Sequence, residues 1–205
     1  MSAQEPATAA TDGWTTLVLG IGNLLWADEG FGVRAVERLH ERYRFGAEVR
    51  VMDGGTQGIF LLPWVRAAER LLIFDAIDFG LPPATLRLIE GDDVPRYMGA
   101  KKVSMHQAGF QEVLASARLT GEFPRDIALV GVQPALLDDY GGSLTAGVRA
   151  QLDSAIAVAC KLLRRWGVEP QPRSAAVAAT ERTGPVALAI GDYENGRPRV
   201  PRGMQ

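Results

Sequence analysis

The sequence contains little cysteine, little histidine and no long apolar run. It has one cysteine and two histidines in 205 residues. A single cysteine, Cys160, cannot form an internal disulfide, and it lies in an apolar helical pattern, so we expect a buried thiol in a reducing compartment. No apolar run approaches the roughly 18 residues that a membrane-spanning helix needs. We therefore expect a cytoplasmic protein without a membrane span.

Neither sign of charge predominates. The chain has 22 basic and 24 acidic residues and a formal net charge of −2. Nucleic acids and anionic membranes bind surfaces rich in Lys and Arg, so this composition predicts no nucleic-acid partner and no membrane partner. Residues 1–13 lack the basic start and apolar core of a secretory signal, and we interpret them as a flexible N-terminus.

Short apolar runs typical of strands alternate with segments of helical periodicity. Parallel strands need crossover connections, which place helices on both faces of the sheet. The alternation therefore predicts an α/β three-layer sandwich over residues 14–167, with a largely parallel five-stranded sheet flanked by helices. Residues 168–205 are rich in Pro, Arg, Ala and Gly, and we predict a poorly structured tail there. The predicted strands are 15–20, 48–52, 71–74, 85–89 and 127–132, and the predicted helices are 30–43, 59–68, 109–119 and 145–166.

Three side chains with metal-binding chemistry are predicted to meet at one edge of this sheet. Glu29 lies in the loop after the first strand, Asp75 follows a buried strand directly, and His106 lies in a polar loop before a helix. Carboxylates are rarely buried unless they are paired or bind a metal. Structural alternatives are open: Glu29 as a helix-dipole partner, and Asp75 as an acceptor for loop N–H groups. The neighbouring Asp28 is predicted to cap the following helix.

Two carboxylates and one imidazole leave positions open on a metal, as a site that accepts water or substrate requires. The mixed oxygen and nitrogen donors suit Ni, Zn, Cu or Fe better than Mg or Ca. The spacing of the three residues does not select among these metals. The other histidine, His40, lies in mid-helix and is interpreted as a surface residue.

Two glycine-rich loops lie at the same predicted edge. Asp53 opens the loop 53–58, in which three glycines allow either a plain turn or a lip that grips a peptide backbone. The pair Gly20 and Gly22 is typical of dinucleotide-binding loops, but Leu25 stands where a third glycine is needed, which argues against a nucleotide enzyme. No Ser or Cys has the surroundings of a covalent nucleophile, so hydrolysis here would need activated water.

These motifs together resemble one known family, the hydrogenase maturation endopeptidases that process the large subunit of [NiFe] hydrogenases. The resemblance extends over residues 15–167. It is carried, in order, by LVLGIGNLL at 17–25 with the acids at 28–29, DGGT at 53–56, DA at 75–76, HQ at 106–107, TGEFP at 120–124 and LVGVQP at 129–134.

The resemblance implies that Glu29, Asp75 and His106 are metal ligands and that the metal is nickel, brought by the substrate itself. It implies as substrate the nickel-loaded precursor of the hydrogenase large subunit, which loses a C-terminal peptide. The family's aspartic-type classification implies Asp53 or Asp75 as the catalytic residue. A metal-activated water and a scaffold that holds the precursor without cutting it are the alternatives.

Overall fold

Strands alternate with helices along most of the chain. The computed structural model describes residues 13–100, 105–177, 183 and 190–196, without the side chains of residues 99–100, 105–108, 192 and 196. The described strands are β1 (Thr16–Ile21), β2 (Tyr43–Arg44), β3 (Val49–Gly55), β4 (Arg70–Ala76), β5 (Leu86–Glu90), β6 (Asp126–Val132) and β7 (Gln171–Pro172). The described helices are α1 (Phe31–Arg42), α2 (Leu62–Ala67), α3 (Asp93–Ala100), α4 (Met105–Leu119), α5 (Ala146–Ala150), α6 (Leu152–Arg165) and α7 (Ile190–Gly196), and two 3₁₀ turns span Ala27–Gly30 and Gly58–Leu61.

Five strands form the main sheet, in the order β3-β1-β4-β6-β5. The first four are parallel, and β5 pairs with β6 in the antiparallel direction. This confirms the predicted largely parallel, five-stranded sheet. Because β4 lies at the centre, its residues from Leu71 to Ala76 are buried.

Helices cover both faces of the sheet, as a three-layer sandwich requires. Side chains alternate between the two faces along a strand, so Leu72 and Phe74 enter one core while Leu71 and Ile73 enter the other. The first core is closed by α1, α5 and α6, and we call that side the α1 face. The second is closed by α2, α3 and α4, and we call it the α4 face.

The helices differ from the prediction in four places. The predicted helix 59–68 is a 3₁₀ turn, Gly58–Leu61, followed by α2. The predicted helix 145–166 is two helices, because Gln151 donates to the carbonyl of Val148, three residues back, and so interrupts the α-helical pattern. Helix α4 begins at Met105 instead of residue 109. Helix α3 was not predicted, since Pro95 reads as a helix breaker although proline is tolerated in a first helical turn.

The segment after residue 167 contributes to the described structure. Strand β7 pairs with β2, and α7 follows further along the chain. The three-part division of the chain stays a prediction, because residues 1–12 and much of 168–205 lie outside the described residues. Cys160 is buried in the core of the α1 face, as predicted. Among the described helices, none combines the length and apolar character needed to cross a bilayer.

Helix α1 packs against the sheet through glycines. A Cβ at Gly32 would lie inside the contact distance of the carbonyl oxygens of Ile21 and Phe74, and a Cβ at Gly20 would strike the carbonyl of Gly32. Backbone therefore meets backbone where α1 begins. This close approach brings the loop 22–30 to the carboxyl ends of β1 and β4.

We predict that Gly32→Ala destabilises the protein by about 3 kcal/mol, since the added methyl group meets main-chain atoms that cannot rotate away. Urea denaturation measures the change. Gly191→Ala is the matched control, because a methyl group there would have no described atom within 4 Å apart from its own helix and chain neighbours. Equal stability of the two variants would contradict this packing.

Candidate functional site

Asp28 joins the loop after β1 to the loop after β6. It has no solvent exposure. Its Oδ2 accepts the N–H groups of Ala135 and Leu136 at 2.9 and 3.0 Å. Thr145 donates its N–H to Oδ1 at 2.7 Å and its hydroxyl to Oδ2 at 3.0 Å. The prediction that Asp28 caps α1 is therefore wrong: the N-cap position is Gly30, and the Asp28 carboxylate faces a loop more than a hundred residues away in sequence.

Glu29 follows in the same 3₁₀ turn, which packs against β4, and it is 9% exposed. Ala27 adopts a φ of +36°, a conformation that non-glycine residues rarely take and that turns the chain inward before the two acids. Gly22 has no room for a Cβ beside the carbonyl of Glu29. The glycines of the Gly-x-Gly pair thus allow close backbone packing, which explains them without a nucleotide.

Asp75 is the last residue but one of the central strand, at the same edge, and it has no solvent exposure. Its Oδ1 accepts the N–H of Ala76 at 2.8 Å, which is the structural role that the sequence left open. Because Leu71 and Ile73 belong to the core of the α4 face, the Asp75 side chain leaves β4 on that face. The structure thus brings two predicted ligands, Glu29 and Asp75, to one sheet edge.

Asp53 lies at this edge on the opposite face. It is the partner of Gly20 in β1, and Gly20 is in turn the partner of Phe74, whose side chain enters the core of the α1 face. Partner residues on adjacent strands point to the same face, so Asp53 points towards α1. Two predicted catalytic aspartates on opposite faces favour separate roles over a pair that shares one proton.

The surroundings of Asp53 favour its neutral form. Burial raises the pKa of Asp53 above its ordinary value, while the Gly55 N–H and the Arg34 guanidinium lower that pKa to a smaller extent. Its Oδ1 is buried and has no hydrogen-bond partner among the described residues. When it is ionised, a carboxylate with a raised pKa binds a proton more strongly than an exposed carboxylate does. This property suits a group that takes part in proton transfer.

Arg34 was not identified from the sequence. This residue of α1 is only 4% exposed, and its Nη1 pairs with Oε2 of Glu37 at 2.8 Å. The sequence pattern that could have identified Arg34 is an arginine among the apolar residues of an amphipathic helix, with an acid three positions later.

Gln133 belongs to the LVGVQP motif, and its side chain holds the loop after β4 in place. Its Oε1 accepts the N–H groups of Phe79 and Leu81, and its Nε2 donates to Asp78 at 3.1 Å. The sequence pattern that could have identified Gln133 is a polar residue directly after a buried strand.

His106 belongs to the first turn of α4 by its backbone, and its side chain lies outside the described part of the structure. Within the part of the chain that is described, no three His, Cys, Asp or Glu side chains form a metal-binding group. Helix α4 covers the face on which Asp75 leaves the sheet. The role of His106 as third ligand stays a prediction. The other histidine, His40, is half-buried, so it is less exposed than predicted.

Exposed apolar side chains concentrate around this edge. Of the seven large apolar residues exposed in the described chain, five lie on the loops after β1, β3 and β6. Trp26 and Tyr140 stack edge to face with ring centroids 5.3 Å apart, which holds two of these loops together. We call these five residues the apolar rim: Leu25, Ile59, Phe60, Leu136 and Tyr140.

Known proteins match this chain closely. The family model described as hydrogenase maturation protease matches residues 33–162. The chain belongs to this family. The hydrogenase expression/formation protein HupM of Azotobacter chroococcum mcd 1 is 58% identical over 182 residues, which cover 89% of this chain and 86% of that protein. The hydrogenase 2 maturation protease of Escherichia coli K12 is 42% identical over 160 residues, 78% of this chain and 96% of that protease.

Solved structures of maturation proteases agree with the fold. The hydrogenase maturating endopeptidase HybD from E. coli is similar with a TM-score of 0.74 and 41% identity, over 78% of this chain and 98% of that one. The [NiFe] hydrogenase maturation protease HybD from Thermococcus kodakarensis is similar with a TM-score of 0.59 and 27% identity, over 72% and 98%. This chain is therefore a protease.

We predict that Asp53→Asn stabilises this protease at pH 7. An acid whose pKa is raised by folding costs stability when it is ionised, so the amide removes that cost. The gain should shrink as pH falls below the raised folded-state pKa and vanish below the ordinary value of 3.8, where Asp53 is protonated in both states. Urea denaturation at several pH values measures it, with the more exposed Asp93→Asn as control. A gain that is constant with pH would contradict the burial argument.

Proposed function

We propose that this protease removes a C-terminal peptide from the nickel-loaded precursor of a [NiFe] hydrogenase large subunit in the cytoplasm. The observation that carries the proposal is the pair of buried carboxylates, Glu29 and Asp75, at the carboxyl edge of the sheet in a chain of the maturation protease family. Carboxylate oxygens are ligands that divalent transition metals accept in proteins.

The nickel of the precursor is the feature that we propose the site recognises. Glu29 and Asp75 supply oxygen donors, and His106 supplies a nitrogen donor. Nickel accepts such a mixed set, and three protein ligands leave positions for ligands from the precursor. Recognition of nickel would restrict cleavage to precursors that already carry it.

Peptide hydrolysis also needs a base for the attacking water, and we assign that role to Asp53. The water oxygen adds to the carbonyl carbon of the scissile bond, and its proton passes to the Asp53 carboxylate. The proton then reaches the leaving nitrogen, and the C–N bond breaks. The raised pKa and unpartnered Oδ1 of Asp53 support this assignment.

We predict that Glu29→Gln, Asp75→Asn and His106→Ala each slow cleavage of nickel-loaded precursor about 100-fold or more, because each replaces a charged oxygen donor by a weaker neutral one or removes the imidazole donor. Mass spectrometry of the precursor measures loss of the C-terminal peptide. Asp53→Asn should lower the cleavage rate at least as much as these three variants do. Unlike them, it should retain binding of the nickel-loaded precursor. Asp126→Asn, at the opposite edge of the sheet, is the control.

Two results would contradict parts of this proposal. Parental rates for Glu29→Gln and His106→Ala would make the ligand assignment wrong. Stable co-elution of the parent protein with precursor of unchanged mass would instead identify a scaffold that holds the precursor without cutting it.

The apolar rim is proposed to contact the precursor, since its residues lie on loops at the same sheet edge as the carboxylates and exposed apolar side chains mark surfaces that bind proteins. Phe60 is 78% exposed.

We predict that Phe60→Ala raises KM for the precursor about threefold to tenfold with little change in kcat, because it removes apolar contact from both ground state and transition state. Leu119→Ala, similarly exposed but at the far end of α4, is the control, and an equal effect there would contradict the assignment.

A further inference from the structure

The short helix α7 lies against the part of the chain that holds Asp28. Glu194 of α7 binds Arg149 of α5 through both carboxylate oxygens, with 3.0 Å between Arg149 Nη1 and Oε2. The Ser143 hydroxyl donates a hydrogen bond to Glu194 Oε1. The same hydroxyl oxygen accepts a hydrogen bond from Arg149 Nη2 at 3.1 Å. Arg149 Nη2 also donates to the carbonyl of Leu144 at 3.4 Å. Glu194 therefore closes a polar network around the turn at 143–145.

This turn continues directly into the Asp28 interaction. Thr145 follows the residues that Glu194 and Arg149 hold, and its N–H and hydroxyl both donate to Asp28. Asp28 precedes Glu29 in the same 3₁₀ turn. Hydrogen bonds to residues 143–144 and the adjoining hydrogen bonds of Thr145 thus connect α7 to Asp28, the neighbour of a predicted nickel ligand.

A second contact joins α7 to the Asp53 side of the edge. The guanidinium carbon of Arg34 lies 5.8 Å from the ring centroid of Tyr193, within the range of a cation–π interaction. Arg34 is also the cation that lowers the pKa of Asp53. Tyr193 therefore contacts Arg34, which lies near Asp53. Glu194, the next residue of α7, contacts the segment that leads to Thr145 and Asp28.

We propose that α7 is a positioning element of this protease, in which Glu194 holds the turn 143–145 and thereby fixes Asp28 and the adjacent Glu29. The significance given to Glu29 rests on the proposed function, whereas the contacts of Glu194 do not. Glu194 and Arg149 are both partly exposed, at 29% and 39%. Their contribution therefore lies in local order of the turn and much less in global stability.

The test uses the full-length chain with Glu194→Ala. Hydrogen exchange measured by NMR should accelerate about fivefold to tenfold at the amides of Ala135, Leu136 and Thr145, which donate to Asp28, while amides of the central strand β4 stay unchanged. Cleavage of nickel-loaded precursor should show kcat lowered about threefold to tenfold and KM changed less than twofold. The double variant Glu194→Arg with Arg149→Glu restores an ion pair and should recover most of the exchange protection.

Glu169→Ala is the matched control, because it breaks the exposed ion pair with Arg164 at the other end of α6. It should leave the three amides and kcat unchanged. Unchanged exchange at these amides in Glu194→Ala, or faster exchange throughout the chain, would overturn the proposal. If the parent protein does not cut precursor at all, the proposed function fails while the exchange experiment still decides the role of α7.

Discussion

The arrangement of the candidate site depends on the buried carboxylate of Asp28. Its two oxygens accept four hydrogen bonds from the loop after β6. A buried carboxylate is tolerated only when such donors surround it, and removing them would leave a charge with neither water nor partner. The interaction therefore holds the loops of β1 and β6 together across the end of β4. These two loops carry Glu29 and three residues of the apolar rim, Leu25, Leu136 and Tyr140, and they meet beside the end of the strand that contains Asp75.

Side chains at this sheet edge point either to the α1 face or to the α4 face, so the edge has two parts. Asp75 leaves the sheet towards α4, whose first turn contains His106, and Asp53 leaves it towards α1 and Arg34. Under the proposed function, this division separates Asp75, which is assigned to the metal, from Asp53, which is assigned to proton transfer. Two carboxylates on opposite faces suppress each other's ionisation less than an adjacent pair does.

Much of the fold could be predicted because hydrophobic periodicity is a local property of the sequence. Leu71 to Phe74 read as a buried strand, and that strand is the centre of the sheet. The edge position of Asp75 followed from the same pattern. The role of Asp28 could not be predicted, because its donors are more than a hundred residues away and local spacing pointed to a helix cap. The direction of Asp53 depends on its register with Gly20, which periodicity does not specify.

The contacts of α7 also bear on the order in which the protein is completed during synthesis. Arg149 and Glu194 are 45 residues apart in the chain. At roughly 5–20 residues per second, about 2 to 9 seconds separate the synthesis of these two partners on the ribosome. All five strands of the main sheet precede Arg149, so they are made before Glu194 is available. In every new molecule, the residues that hydrogen-bond to Asp28 are therefore made before the residue of α7 that holds the turn at 143–145.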